Sequence, residues 1–334
     1  MEKLNKIFVL GGAGFLGYKT IKEAVNRGYN VRTVDVVELP KNLKFKKEDN
    51  VEFIIQNFFN LSDNEIIELI QGCDSFVYAG GVDERIVPQK PARKFFYEKN
   101  TLPTQRIARL AKEAGVRNFV LFASYTAEFA ENSEYLREHL YQEEPYVETR
   151  LLQEKVAMYA GEGSMNVSVL RLPYIFGTME GKTPLWSMFI DMLRGQEFMP
   201  VTTGGAATIT ANQVGQAAIS ALENGKHRKT YPVATGYISY EEFYKKILEE
   251  LNQEEITQLQ VMDFDELEEA YREDEKLTDE QGVEHGIRQV NMLRANSLDF
   301  RLPIDVAYNE LRVREEDIDT VIKETLTFAN KQDM

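Results

Sequence analysis

The chain has 334 residues, 43% of them hydrophobic and 28% charged, which allows one large domain or a main domain with a smaller lobe and excludes a disordered or fibrous chain. Its 54 acids against 39 bases leave a net charge of −15, a surface that repels nucleic-acid phosphates and anionic membranes. The densest basic run, Lys41 to Lys47, is short and interrupted, so no nucleic-acid partner is expected.

In chain order, short apolar or β-branched runs at residues 6–10, 30–36, 51–56, 75–79, 118–123 and 166–172 read as strands. The opening MEKLNKIFVLGG holds only a brief apolar stretch before glycines, so it reads as a strand rather than a signal peptide. Helical patterns fill residues 15–27, 63–70, 92–114 and 146–160. Ser62 with Glu65 has the spacing of a capping box, and Gly28, Gly72, Gly115 and Gly161 stand where helices end. This alternation predicts an α/β fold, a doubly wound parallel sheet of Rossmann type with helices on both faces. After residue 173, Pro173, Gly177, Gly181 and Pro184 break the pattern. We therefore expect a dinucleotide-binding domain over 1–173 and a smaller mixed α/β substrate lobe over 174–334, parts of which return to the main sheet. The Glu- and Asp-rich stretch 241–281 reads as solvated helix faces.

No apolar run approaches the roughly 20 residues that span a bilayer, so no membrane association is expected. Cys73 is the lone cysteine, which allows no internal disulfide and fits a reducing, cytoplasmic setting. His139, His227 and His285 lie far apart without ligand spacing, and no metal site is expected. Met158, Met165, Phe58-Phe59 and Phe95-Phe96 read as core; Tyr174 and Trp186 suit either packing or a substrate pocket.

The segment KIFVLGGAGFLGYKTIKEAVNRGYNVRTVDV carries the strongest chemical signal. A strand ends at Leu10, glycines occupy 11, 12, 14 and 17, and a helix starts near Phe15. Glycine tolerates the positive φ of a tight turn and lets backbone approach a pyrophosphate, which the amides at a helix N-terminus attract. Gly17 is expected to let the helix pack closely on the sheet. Asp35, closing the second strand, suits the adenosine ribose hydroxyls and repels a 2′-phosphate, favouring NAD over NADP; Arg32 and the lysines beyond Pro40 soften that preference.

With these motifs the chain resembles the extended short-chain dehydrogenase/reductase superfamily, in its NAD-dependent epimerase/dehydratase group. Gly11, Gly14 and Gly17 match its GxxGxxG, with Phe15 and Leu16 opening the helix. Asn57-Phe58 stands where the family has an Asp-apolar pair near adenine, and Ala79-Gly80-Gly81 resembles the segment after its fourth strand. Asn100 with Thr104 resembles its Asn-x-x-Gly-Thr helix, with Pro103 in place of the glycine, and SVLRLPYIFG resembles its sixth strand through Pro173. The resemblance covers nearly the whole chain, implies cofactor contacts by these residues, and implies a homodimer through a pair of helices.

The family's catalytic pair is Tyr-x-x-x-Lys with a Ser or Thr ending strand five. Here PYVETRLLQEK aligns Tyr146 with the tyrosine and Arg150 with the lysine, while Glu154 keeps the expected register. Arg150 shares a helix face with Tyr146, so it is expected to lower the phenol pKa and reach the nicotinamide ribose; it holds its proton too firmly for a relay. At FASYTAEFA the alignment puts Tyr125 at the hydroxyl-donor position, with Ser124 and Thr126 flanking it, and either can serve if the strand end shifts by one residue. The resemblance implies hydride transfer on a small carbonyl, hydroxyl or sugar-nucleotide substrate. The family's nucleotide-sugar enzymes often carry Asn where Pro173 stands, and this residue is closer to the ketone-reductase and sterol-dehydrogenase branches. A second expectation is a cofactor-binding sensor or scaffold without turnover, motivated by Arg150 and Tyr125.

Overall fold

The alternation of strands and helices builds one seven-stranded parallel sheet. The computed structural model describes residues 5–332, so the ends of the two expected domains, 1–4 and 333–334, lie outside the described residues. The chain opens with β1 (Lys6–Leu10), α1 (Phe15–Asn26), β2 (Asn30–Asp35), β3 (Val51–Ile55), α2 (Asp63–Ile70) and β4 (Ser75–Tyr78). It continues through α3 (Ala92–Phe96), α4 (Leu102–Glu113), β5 (Asn118–Ser124), α5 (Thr126–Asn132), α6 (Glu134–Glu138), α7 (Pro145–Gly161) and β6 (Asn166–Leu172). The sheet order is β3-β2-β1-β4-β5-β6-β10, where β10 (Lys229–Pro232) arrives from beyond residue 173. The order reverses between β1 and β4, leaving a crevice at their C-terminal ends, where α/β sheets of this kind take ligands.

Strands covered on both faces need continuous apolar runs. In β1, Ile7, Phe8 and Val9 are all fully buried. Phe8 and Leu10 join α2, α4 and the apolar side of α7 on one face, while Ile7 and Val9 meet α1 and α9 (Ala211–Asn224) on the other, as a period of two dictates. Phe8, Phe76 and Phe119 stack across three neighbouring strands at 4.9 and 5.0 Å. Truncating any one of these rings is worth roughly 3–5 kcal/mol.

Several local expectations hold and two need correcting. Ser62 and Glu65 form the capping box that starts α2. Gly28, Gly72 and Gly115 take positive φ of 81°, 84° and 94° at their helix ends. Gly161, however, stays helical as the last residue of α7, and Gly163, with φ 93°, makes the turn. The reason is packing: a Cβ on Gly161 would lie 2.5 Å from Val167 Cγ2. The helix expected over 92–114 is interrupted by a π turn at Tyr97–Thr101. Pro103 has no N–H for the carbonyl four residues back, and the hydrogen-bond ladder re-registers just before it.

Beyond residue 173 come β7 (Tyr174–Phe176), α8 (Ser187–Leu193), β8 (Phe198–Thr202) and β9 (Gly205–Thr210), then α9 and β10. The chain finishes with β11 (Gly236–Ser239), α10 (Tyr240–Leu251), β12 (Gln258–Met262), α11 (Phe264–Glu280), α12 (Gln289–Asn296) and α13 (Ile318–Gln332). β7 and β11 flank β9 in a small sheet, and β8 pairs β12. α9 lies so close to α1 that a Cβ on Gly215 would sit 2.7 Å from the Lys19 carbonyl oxygen. β10 extends the main sheet beside β6, and its Pro232 is tolerated because this is an edge strand. α8, α10 and α13 enclose a second core around Phe176, Trp186 and Phe243. α11 buries only Leu267 and turns its acids to solvent.

Candidate active site

The glycine turn lies at the crevice. Gly11 takes φ 90°, and its carbonyl accepts the Gly14 N–H at 3.0 Å. A Cβ on Gly17 would fall 2.1 Å from that same carbonyl oxygen, so Gly17 lets α1 pack on the turn itself rather than on the sheet beyond it. No side chain caps α1 and its first turn holds no acid, which leaves its leading amides for an incoming anion. Asp35 stands beside the turn: one carboxylate oxygen accepts the Ala13 N–H at 2.9 Å and the other the Val36 N–H at 2.7 Å. The carboxylate is thereby held at the end of β2.

α7 carries Tyr146 and Arg150 one turn apart, both buried. The Arg150 guanidinium carbon lies 5.7 Å from the Tyr146 ring centroid, and its Nη2 donates to the Phe122 carbonyl at 3.1 Å. Its Nε is buried with no partner among the described residues. Burial holds the Tyr146 phenol above the ordinary tyrosine range; the Arg150 charge opposes this, the Glu84 carboxyl adds to it, and a hydrogen bond from Ser124 opposes it again. The expected downward pull of Arg150 is present, but desolvation outweighs it.

Ser124 ends β5 and accepts from Thr126 through both its backbone N–H (3.3 Å) and its hydroxyl (3.0 Å). The serine proton is therefore free to point at the phenolic oxygen. Thr126 is buried behind it and is not among the residues that line the cavity. Tyr125 packs edge-on against Phe129 and Tyr174.

These groups meet in a cavity of about 340 Å³. Phe15 and Leu16 from α1, Ala79, Gly80 and Gly81 after β4, Ser124, Tyr125, Tyr146, Arg150 and Pro173 all line it, as do Tyr174 and Trp186 from the lobe. Other expected cofactor residues lie elsewhere. Gly11, Gly14 and Gly17 form the adjoining turn. Asn57 is exposed beyond β3, while the Phe58 ring turns into the core 5.7 Å from Phe8. Asn100 is fully buried and exchanges two 2.9 Å hydrogen bonds with the Val82 backbone, pinning the loop after β4.

Three residues of the site were not singled out from the sequence. Glu84 lines the cavity just past Gly80-Gly81, and the charged run Asp83-Glu84-Arg85 directly after the glycines was the available signal. Glu144, buried at the start of α7, binds Arg288 and Asn291 at 2.8 and 2.6 Å, and the Gly286 carbonyl accepts the Tyr146 N–H at 2.7 Å. These long-range contacts left no local pattern.

The arrangement fits a dinucleotide: a cradle that Cβ atoms would fill, an uncapped helix end, an acid at the ribose position, and a buried guanidinium with a spare donor. Residues 7–234 match the NAD dependent epimerase/dehydratase family. The chain is 26% identical over 201 residues to the Mus musculus sterol-4-alpha-carboxylate 3-dehydrogenase, decarboxylating, an overlap of 58% of this chain and 52% of that protein. It thus spans about half the length of the curated relatives it matches. Two solved structures share the fold over nearly their whole length. One is a nucleoside-diphosphate-sugar epimerase from Pseudomonas aeruginosa, with TM-score 0.69, 14% identity and 98% of each chain covered. The other is the Bordetella bronchiseptica enzyme WbmH in complex with NAD⁺, with TM-score 0.67, 13% identity, and 99% and 100% covered. With the glycine turn, the sheet order and the family match in agreement, this chain belongs to the NAD dependent epimerase/dehydratase family, whose cofactor is NAD.

Proposed function

We propose that the protein is an NAD-dependent oxidoreductase or epimerase/dehydratase-like enzyme that acts on a small carbonyl or hydroxyl compound. The observation that carries this reading is the Ser124–Tyr146 pair, set over Arg150 in a cavity continuous with the glycine turn. Gly11, Gly14, Gly17 and the leading amides of α1 would hold the pyrophosphate, Asp35 the adenosine ribose, and Arg150 the nicotinamide ribose through its spare donor. Bound there, NAD⁺ would supply a hydride acceptor for an alcohol carbon, and NADH a hydride donor for a carbonyl. Ser124 orients the substrate oxygen. Tyr146 takes the hydroxyl proton in the oxidising direction and gives one back in the reducing direction. Arg150 supplies charge to the phenol but keeps its own proton.

The division near residue 173 into a dinucleotide domain and a substrate lobe belongs to this proposal. So does a homodimer through α4 and α7, where Leu102, Leu152 and Tyr159 are exposed. A reducing, cytoplasmic setting rests on the lone Cys73, buried as a free thiol. The second reading, a cofactor sensor without turnover, is favoured by Arg150 alone.

Calorimetric titration with NAD⁺ and NADP⁺, on the wild type and on Asp35→Ala, tests the cofactor half. NAD⁺ should bind at least about 10-fold tighter, and the variant should narrow that gap, since a charge-assisted hydrogen bond is worth roughly 1.5–3 kcal/mol. Absence of binding by either cofactor would remove the enzyme reading. Robust turnover on any member of a carbonyl and nucleotide-sugar panel would sink the sensor.

A further inference from the structure

The cavity holds one carboxyl whose partner is missing. Glu84, half-buried in the loop after β4, has no cation within salt-bridge distance among the described residues, whereas its neighbour Asp83 is engaged by Arg85. Burial pushes the Glu84 carboxyl upward from its ordinary range, the Asp83 charge adding to it and a hydrogen bond from its own backbone N–H, with the Arg85 and Arg150 charges, opposing it. Half-desolvating a carboxylate without a counter-charge is costly, and a ligand that donates to it recovers part of that cost.

Aromatic side chains line the cavity beside Glu84. Tyr125 and Tyr174 meet edge to face at 6.0 Å, and Tyr174 lies 5.1 Å from the Trp186 ring. Aromatic lining of this kind suits a ring. The volume of about 340 Å³ is shared with the reactive end of the dinucleotide, which favours a small substrate. The charge balance agrees: Arg85 is taken by Asp83, Arg150 lies by Tyr146, and Lys182 is the one remaining cation among the described lining residues. No excess of positive charge is available there to receive a second diphosphate.

Resting on the function proposed above, we propose that the substrate is a compact, uncharged ring alcohol or ketone with a second hydroxyl, that this hydroxyl donates to Glu84, and that nucleoside-diphosphate sugars are excluded. Glu84 is then the residue that sets substrate class, while Tyr146 and Ser124 handle the reacting oxygen.

Trp186 is the only tryptophan and lines the cavity, so its fluorescence reports occupancy. NADH is titrated first; energy transfer from Trp186 to bound NADH shows that the cofactor site is intact in the wild type and in Glu84→Ala. Loss of this signal in the wild type would defeat the cofactor reading itself. To the NADH complexes are then added trans-1,2-cyclohexanediol, cyclohexanol and UDP-glucose. The wild type should bind the diol about 10-fold tighter than the mono-alcohol, as one hydrogen bond to a carboxylate predicts, and Glu84→Ala should bring that ratio close to unity. The proposal is overturned if the diol fails to bind, if its advantage survives in Glu84→Ala, or if UDP-glucose saturates the wild type more tightly than the diol.

Discussion

Tyr146 illustrates how a single residue carries two opposed requirements. The cavity must exclude water to strengthen its dipoles, yet exclusion raises the phenol above its ordinary range. In the absence of cofactor the group is a neutral acid across the neutral pH range. A raised tyrosine must lose its proton before it can act as a base, so the oxidising direction should accelerate with rising pH. The reducing direction, which uses the protonated form, should stay level and fall only in the alkaline range. Replacing Tyr146 by Phe removes the proton carrier while keeping the ring contact with Phe96 at 5.2 Å. Turnover in either direction should drop by about 10²–10⁴, with NAD⁺ affinity changed less than about threefold. Steady-state kinetics beside a calorimetric titration checks both; undiminished turnover would take Tyr146 out of the mechanism. At this scale the sequence was legible where the pattern is local. Gly11, Gly14 and Gly17, Asp35, Tyr146 and Arg150 are spaced within one turn or one strand–helix unit. Glu84 was not legible, since the unpaired state of a carboxyl depends on which distant chains surround it. Ser124 and Thr126 could not be separated, because one residue of strand-end register decides which hydroxyl faces inward.

The reactive residues depend on how α7 is fastened at its N-terminal end. The segment before α12 crosses that end: Arg288 and Asn291 grip the buried Glu144, and Gly286 passes so close that its carbonyl accepts the Tyr146 N–H. A Cβ on Gly286 would lie 2.6 Å from the Phe96 ring and 2.9 Å from the Tyr146 Cβ, with ring and helix both buried. Gly286→Ala must therefore push the first turn of α7 away from Ser124. The overpacking should cost about 1–3 kcal/mol in urea unfolding, and turnover should fall by roughly 10-fold or more, because small misplacements of a reacting group are expensive. Unchanged stability and turnover would show that this crossing does not position Tyr146. The elements themselves were readable from alternation and breakers, and β1, α2 and β6 appear at their expected residues. The interruptions were less so. The π turn before Pro103 and the shift of the positive-φ turn after α7 to Gly163 answer to a missing amide and to packing against β6 respectively, which a residue pattern does not report.

At the scale of the whole molecule, the chain leaves the main sheet after β6 and comes back through α9 and β10, a return that four residues ending in a proline scarcely announce. What secures it is an ionic network on the α1 side. Glu23 on α1 is buried and accepts from Arg27 at 2.7 Å and from Arg314 at 2.8 Å, while Arg27 also reaches Glu223 on α9 at 2.8 Å. One carboxylate thus ties α1 to the returning helix and to the segment leading into α13. Burial alone would raise Glu23, but hydrogen bonds and charge from Arg314 and Arg27 outweigh it and hold the carboxyl below its ordinary 4.5. The sign follows from linkage: a carboxyl depressed in the folded state contributes stability that is present above its unfolded value and is lost as pH falls through the folded one. Glu23→Gln keeps the shape and removes the charge. At pH 7 the variant should be less stable by about 1.5–3 kcal/mol, the worth of hydrogen bonds to a charged group. The gap should narrow as pH falls below the unfolded value and be smallest once pH lies below the folded one, where the wild-type carboxyl is protonated too. Urea unfolding of both proteins at several pH values measures this directly. A gap that stays constant down to the acid limit would mean that the network acts through packing and not through charge.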